Sequence, residues 1–123
     1  MDKGKGTVLV VDDDAGIRAI LAEALTGEGY RVVSTVGSTA IPAARTAHPA
    51  VVLLDLMMPG MDGAAVSACL RADPRTAQIP IVAMSSQERL HDLGRRVQAD
   101  DVLPKPFELE RLYETVARWA PQD

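Results

Sequence analysis

Residues 50–55 have the sequence AVVLLD, five apolar residues followed by one carboxylate. A short, continuously apolar run of this kind is typical of a strand that is buried on both faces of a sheet. An unpaired charge at the end of such a strand is costly, which makes Asp55 a candidate functional residue. Pro59 and Gly60 then break the chain. We therefore predict a buried strand over Ala50–Leu54 that carries a carboxylate at its carboxyl end.

Outward from this strand, β-branched apolar runs alternate with segments of helical periodicity. Further strands are predicted over Thr7–Val11, Arg31–Thr35, Ile81–Met84 and Asp101–Leu103. Helices are predicted over Ala15–Gly27, Ser38–His48 with Ser38 as its cap, Asp62 to about Ala72, Gln87–Arg96 and Phe107–Ala120. Strands that alternate with helices predict an α/β domain whose parallel sheet is covered on both faces. Ligands of such folds bind at the carboxyl ends of the strands.

Composition excludes several classes of protein. The chain has 123 residues, a net charge of -4 and only 3% aromatic residues, so one domain is expected and nucleic-acid binding through it is not. Its apolar runs are too short to span a membrane. The single cysteine, Cys69, cannot form an internal disulfide and is expected to be a small core residue. A cytoplasmic protein is therefore expected.

Polar residues follow four of the five predicted strands. Asp12–Asp14, Asp55, Ser85 with Ser86, and Lys105 all fall at the carboxyl ends, which meet at one edge of a parallel sheet. Carboxylates brought together repel one another unless a cation neutralises them. An all-oxygen set without Cys or His partners favours Mg²⁺, with Mn²⁺ as the alternative. A carboxylate, a hydroxyl, a lysine and a divalent cation around one point suit phosphoryl transfer.

Four motifs together resemble the receiver domain of two-component response regulators, of the chemotaxis-regulator type. They are VLVVDDD, LLDLMMPGMDG, a serine after an apolar strand, and LPKPF. The resemblance implies one (βα)5 doubly wound, flavodoxin-like domain with strand order 2-1-3-4-5. It implies a receiver domain over residues 1–123, with an ordered core from about residue 6 to 120, and no output domain in this chain.

The same resemblance implies a role for each matching residue. Asp55 would accept the phosphoryl group, Ser85 would hydrogen-bond it, and Lys105 would pair first with Asp55 and then with the phosphoryl oxygens. Asp13 would bind Mg²⁺ directly, Asp12 largely through water, and Met57 through its backbone carbonyl. The Lys105–Pro106 peptide bond is expected to be cis. The donor would be a histidine kinase or phosphotransfer protein, and the downstream protein is not identified by the sequence.

Several positions depart from the family pattern. Val102 stands where receivers usually carry an aromatic residue, which puts the usual coupling of the serine to an aromatic switch in question. Ser86 replaces a smaller residue, and Gln98 replaces a glycine. The segment from Ser85 to Lys105 is short, so we expect a shortened or irregular helix there. Met57 and Gln87 occupy positions that tune phosphoryl lifetime, and an apolar Met57 favours a long-lived phosphorylated state.

Three other functions compete with phosphoryl acceptance. A degenerate receiver would act as an interaction module without phosphorylation. An aspartyl-phosphate hydrolase would need a second acid at the position of Met57, and a flavin-binding protein would not place three acids after the first strand. The leading interpretation is a signalling protein that catalyses only its own phosphorylation and dephosphorylation.

Residues assigned plain structural roles are Asp14 and Asp62 (caps), Gly63 (turn), His48 and His91 (surface), and Trp119 (packing of the last helix).

Overall fold

The computed structural model describes residues 5–59, 62–86, 88 and 97–120. The strands in these ranges are β1 (Thr7–Val11), β2 (Arg31–Thr35), β3 (Val51–Asp55), β4 (Ile81–Ser86) and β5 (Asp101–Lys105). The helices in the same ranges are α1 (Ala15–Gly27), α2 (Ala40–Ala47), α3 (Gly63–Ala72) and α4 (Leu109–Trp119), and a 3-10 turn (Gly37–Thr39) leads directly into α2. All strand pairs are parallel, in the order β2-β1-β3-β4-β5. The predicted fold class and strand order are confirmed.

The position of β3 at the centre of the sheet explains why its sequence is continuously apolar. Successive side chains of a strand point to opposite faces of the sheet. Val52 and Leu54 pack on one face with residues of α2 and α3. Val51 and Leu53 pack on the other face with residues of α1 and α4. Helices thus cover both faces of β3. Its last residue, Asp55, lies at the edge of the sheet where the strands end.

Three strands extend further than their apolar runs predict. Asp55 pairs in register with Met84, and Ser86 pairs with Lys105. The backbone ladder therefore continues past the apolar side chains and includes the polar residues at the strand ends. This extension gives Asp55, Ser85 and Lys105 the fixed backbone positions of strand residues rather than those of loop residues.

The helix boundaries confirm two of the predicted helix caps and contradict a third. Asp14 caps α1 by accepting hydrogen bonds from two backbone N–H groups, and Asp62 caps α3, both as predicted. Ser38 is not the cap of α2, because it lies inside the 3-10 turn. At the other end of α2, His48 adopts a left-handed conformation with φ of 49° and is exposed. The predicted helix over residues 87–96, with His91, lies almost entirely outside the described residues.

Two further packing predictions can be compared with the structure. Cys69 is exposed rather than buried, because the inward face of α3 is formed by Gly63, Val66, Ser67 and Leu70, and Cys69 lies beside that face. Trp119 does pack against the core at the end of α4. Among the described residues, no helix has the length and apolar character needed to cross a bilayer.

A close approach between α3 and the end of β3 positions the loop after Asp55. A Cβ atom on Gly63 would lie 2.6 Å from Leu56 Cδ2 and 3.1 Å from Leu56 Cα. Such contacts are too short for any larger residue unless the backbone moves. The glycine therefore lets the first turn of α3 rest directly on the residue that follows Asp55.

Candidate functional site

Asp55 ends β3 and is almost fully buried, with 5% of its surface exposed. The backbone N–H of Met57 donates a hydrogen bond of 3.1 Å to Asp55 Oδ1. The loop after β3 therefore turns back over the carboxylate, while the Met57 side chain remains about half exposed. This geometry fixes one Asp55 oxygen and leaves the carboxylate facing the edge of the sheet.

Asp12 lies at the end of the neighbouring strand β1 and is held at each of its polar atoms. Its N–H donates to Thr35 O at 3.1 Å, and its carbonyl accepts from Arg18 Nη1 at 2.6 Å. Its Oδ1 accepts from the Asp14 N–H at 2.9 Å, and its Oδ2 accepts from Lys105 Nζ at 3.2 Å. With only 1% of its surface exposed, Asp12 is a rigid part of the site.

Lys105 joins the two buried carboxylates. Its Nζ lies 3.2 Å from Asp12 Oδ2 and 3.5 Å from Asp55 Oδ1. The lysine is the last residue of β5, and the Lys105–Pro106 peptide bond that follows is cis. Three strands that are far apart in sequence thus bring two carboxylates and one ammonium group within ion-pair distance.

Asp13 is placed differently from its neighbour. Its side chain is exposed, and its Oδ1 accepts a hydrogen bond of 3.0 Å from the N–H of Gly37, in the turn after β2. The described part of the chain contains no group of three Asp, Glu, His or Cys side chains gathered closely enough to hold a metal ion. Asp13 therefore borders the cleft without joining the pair formed by Asp12 and Asp55.

The electrostatics of Asp55 reflect its position. Burial raises the pKa of the Asp55 carboxyl above its ordinary value, and the neighbouring Asp12 carboxylate raises it further. The hydrogen bond from Met57 and the Lys105 ammonium act in the opposite direction but do not reverse the shift. An additional positive charge beside Asp55 would favour its ionised, nucleophilic form.

Ser85 carries a buried hydroxyl group near the carboxyl end of β4. It follows Met84, which pairs in register with Asp55, and it is fully buried. Within the described part of the structure, Ser85 Oγ has no hydrogen-bond partner. Buried hydroxyl groups are normally paired, so this unpaired atom is unusual, but Ser85 is not among the residues that line the open cleft over Asp12 and Asp55.

An open cleft of about 450 Å³ gives access to the acidic cluster. Its lining consists of Asp12, Asp13, Asp14, Ile17, Asp55, Met57, Pro59 and Lys105. Of the positions predicted to tune the response, Met57 lines the cleft, Ser86 is exposed and is not part of the lining, Val102 borders a separate cavity of about 160 Å³, and Gln87 lies outside the described residues. Sequence reasoning missed Arg18 and Gly37, whose contacts with Asp12 and Asp13 run through backbone atoms and leave no motif.

The donor chemistry of the cleft fits a hard divalent cation. Its side-chain donors are carboxylate oxygens, without histidine or thiolate. Burial raises the pKa of Asp55 and the Asp12 carboxylate adds to this shift, so a further positive charge would help to keep both carboxylates ionised. A cation held by Asp12, Asp13, Asp55 and the Met57 carbonyl would supply that charge.

Comparison with known proteins agrees with the fold and the motifs. The response regulator receiver domain family matches residues 8–117. This chain belongs to that family. Receiver domains of this family are part of two-component signalling systems. The receiver domain of a sensor histidine kinase from Pseudomonas aeruginosa, with a magnesium ion coordinated in its active-site cleft, has a TM-score of 0.84 and 26% identity. The match covers 93% of this chain and 96% of that one.

Two further relatives are informative. Chemotaxis response regulator CheY4 of Vibrio cholerae has a TM-score of 0.83 and 30% identity, over 91% of this receiver domain and 96% of that chain. DNA-binding response regulator MtrA of Mycobacterium tuberculosis is 41% identical over 119 residues, which cover 94% of this receiver domain and 51% of MtrA. The chain thus spans about half the length of the curated relatives it matches.

Proposed function

We propose that this receiver domain accepts a phosphoryl group on Asp55 in a cation-dependent reaction. The observation that carries the proposal is the ion-pair geometry of Lys105 with two buried carboxylates, Asp12 and Asp55. Burying two like charges is costly, and a purely structural ion pair would need only one of them. The second carboxylate is accounted for if the site also holds a divalent cation and performs chemistry.

The residues of the chain have distinct tasks in this reaction. An Asp55 oxygen attacks phosphorus, so that an O–P bond forms while the bond from phosphorus to the donor's leaving atom breaks, and the donor keeps that electron pair. Lys105 neutralises charge on the phosphoryl oxygens, and the Ser85 hydroxyl donates a hydrogen bond to one of them. Mg²⁺, or Mn²⁺ in its place, would supply further charge neutralisation when held by Asp12, Asp13, Asp55 and the Met57 carbonyl.

The donor in a two-component system would be a histidine kinase or a phosphotransfer protein. A leaving imidazole nitrogen takes up a proton from solvent and restores the donor histidine. The receiver contributes the nucleophile and the neutralising groups, so it catalyses its own modification and does not turn over a metabolite. Ser86, Gln87 and Val102 are the positions at which we expect lifetime and output to be tuned, and an unidentified downstream protein would read the phosphorylated state.

We further propose that residues 1–123 form one receiver domain, with an ordered core from about residue 6 to 120. We assign it to the cytoplasm, because the free thiol of Cys69 fits a reducing compartment. We propose that this domain itself binds neither nucleic acid nor membrane, which its net charge of -4 and few aromatic residues support.

Incubation with a small acyl phosphate and Mg²⁺, followed by intact-mass analysis, tests the proposal. We expect the wild-type protein to gain the mass of one phosphoryl group. We expect no gain when EDTA is present, and none in Asp55→Asn. Asp62→Asn is the matched control, because this exposed cap lies outside the cleft and should leave the gain unchanged. An unmodified wild-type protein would favour the alternative of a degenerate receiver that acts only as an interaction module, and a gain that survives in Asp55→Asn would contradict the proposed acceptor.

A further inference from the structure

The contact between Asp13 and Gly37 links the acidic cleft to a distant turn. Asp13 Oδ1 accepts the Gly37 N–H at 3.0 Å, across 24 residues of sequence. Gly37 is buried and is the first residue of the 3-10 turn that leads into α2. The carboxylate thus accepts the N–H of the first residue of this turn.

The turn that contains Gly37 is otherwise closed on itself. The Thr39 N–H donates to Val36 O at 3.2 Å, and the Thr39 hydroxyl donates to the same carbonyl at 3.3 Å. The hydroxyls of Thr35 and Thr39 are also hydrogen-bonded to each other. Within the described ranges, the Asp13 carboxylate is the side chain of the acidic cleft that bonds to this turn.

Asp13 does not reach a shared cation site with Asp12 and Asp55 from its present position among the described residues. In the described structure its carboxylate is bonded to Gly37 and does not gather with Asp12 and Asp55 into a three-carboxylate group. From this geometry we infer that the Gly37 N–H and a divalent cation compete for the Asp13 carboxylate, so that cation binding releases the turn between β2 and α2. This inference rests on the proposed cation site and adds a consequence to it.

The expected size of the competition follows from the type of bond. A hydrogen bond from a neutral N–H to an exposed carboxylate has a modest net strength, so removing it should raise cation affinity by about threefold to tenfold. The Asp12 and Asp55 carboxylates remain unchanged in such a variant. The gain would therefore report the release of Asp13 alone.

A pair of substitutions at Gly37 isolates the N–H group. Gly37→Pro removes it, and the extended Val36, with φ of -92° and ψ of 168°, is compatible with a following proline. Gly37→Ala keeps it and is the matched control, because Gly37 does not have a positive φ. Isothermal titration with MgCl₂ should show tighter binding by Gly37→Pro than by Gly37→Ala. Equal or weaker binding by the proline variant would overturn the inference.

Amide NMR of the wild-type protein provides a test that requires no substitution. During titration with MgCl₂, the Met57 amide should shift, since it bonds to Asp55, and the Gly37 amide should lose protection from hydrogen exchange. A Met57 shift with unchanged Gly37 protection would refute the competition while leaving the cation site intact. If neither amide responds, the proposed cation site itself is wrong, and the inference falls with it.

Discussion

Replacing Lys105 with methionine probes the charge balance of the site without removing much side-chain volume. The ammonium lies 3.2 Å from an Asp12 oxygen and 3.5 Å from an Asp55 oxygen, and 27% of the lysine side chain is exposed. At an effective dielectric constant of about 20, Coulomb's law gives about 5 kcal/mol for each of these pairs. Removing one partner of a buried ion pair costs about 3–5 kcal/mol in proteins.

Protonation limits the cost of Lys105→Met. The pKa of Asp55 is already raised by burial and by Asp12, so loss of the ammonium raises it further and makes protonation of this carboxyl easier. We therefore expect Lys105→Met to lower the free energy of unfolding by about 2–4 kcal/mol at neutral pH. Urea denaturation followed by circular dichroism, in buffer with EDTA, measures this value.

The double variant Asp55→Asn/Lys105→Met is the control that links the cost to the carboxylates. With one carboxylate neutralised, Lys105→Met should cost about half as much as in the wild-type background, because residues that share an ion-pair network are not additive. A Lys105→Met variant as stable as the wild type would refute the reasoning. An unchanged cost in the Asp55→Asn background would also refute it.

Three further predictions concern neighbouring features. Ser85→Ala removes a buried hydroxyl that lacks a hydrogen-bond partner in the described residues, so urea unfolding should show unchanged or up to about 1 kcal/mol higher stability while phosphorylation by an acyl phosphate slows. Despite the opposing effect of burial, hydrogen bonds from Trp119, Val102 and Arg118 lower the pKa of Asp101. The ionised Asp101 should therefore stabilise the fold above about pH 4, and this contribution should be lost as the pH falls further. A pH series of unfolding midpoints should show a smaller decline in Asp101→Asn than in the wild type. Gly63→Ala would place a Cβ 2.6 Å from Leu56 Cδ2, so its free energy of unfolding should fall by about 1–3 kcal/mol. Gly27→Ala adds a Cβ in open space within α1, so its free energy of unfolding should rise by about 0.5–1 kcal/mol. Thermal melts that rank these two variants in the opposite order would contradict the packing argument.

The sequence predicted most of the fold because the three central strands, β1, β3 and β4, are buried on both faces. Continuous apolar runs such as VVLL in β3 leave little choice between strand and surface loop, and glycine and proline mark their ends. The error at Ser38 has a local cause. Serine is a good helix cap, but here the helical path starts at Gly37, whose N–H is bound by a carboxylate from the loop after β1. Such a long-range cap leaves no trace in neighbouring residues.

The candidate site was predictable in its members but not in its contacts. Parallel strands place Asp12, Asp55 and Lys105 at one edge whatever the details of packing. The orientation of the Asp13 carboxylate toward Gly37, and the bond from Arg18 to the Asp12 carbonyl, depend on backbone atoms that every residue has. Side-chain patterns therefore identify the acidic residues, and only the three-dimensional structure shows which of them are already brought together.

Chemical trapping of the acyl phosphate tests the central claim most directly. Borohydride reduces an aspartyl phosphate to homoserine, which remains at the modified position and is located by peptide mass spectrometry. After treatment with an acyl phosphate and Mg²⁺, we predict homoserine at position 55, with Asp12 and Asp13 unchanged as internal controls. Homoserine at position 12 or 13, or an unmodified Asp55 in protein that has gained a phosphoryl group, would contradict the account.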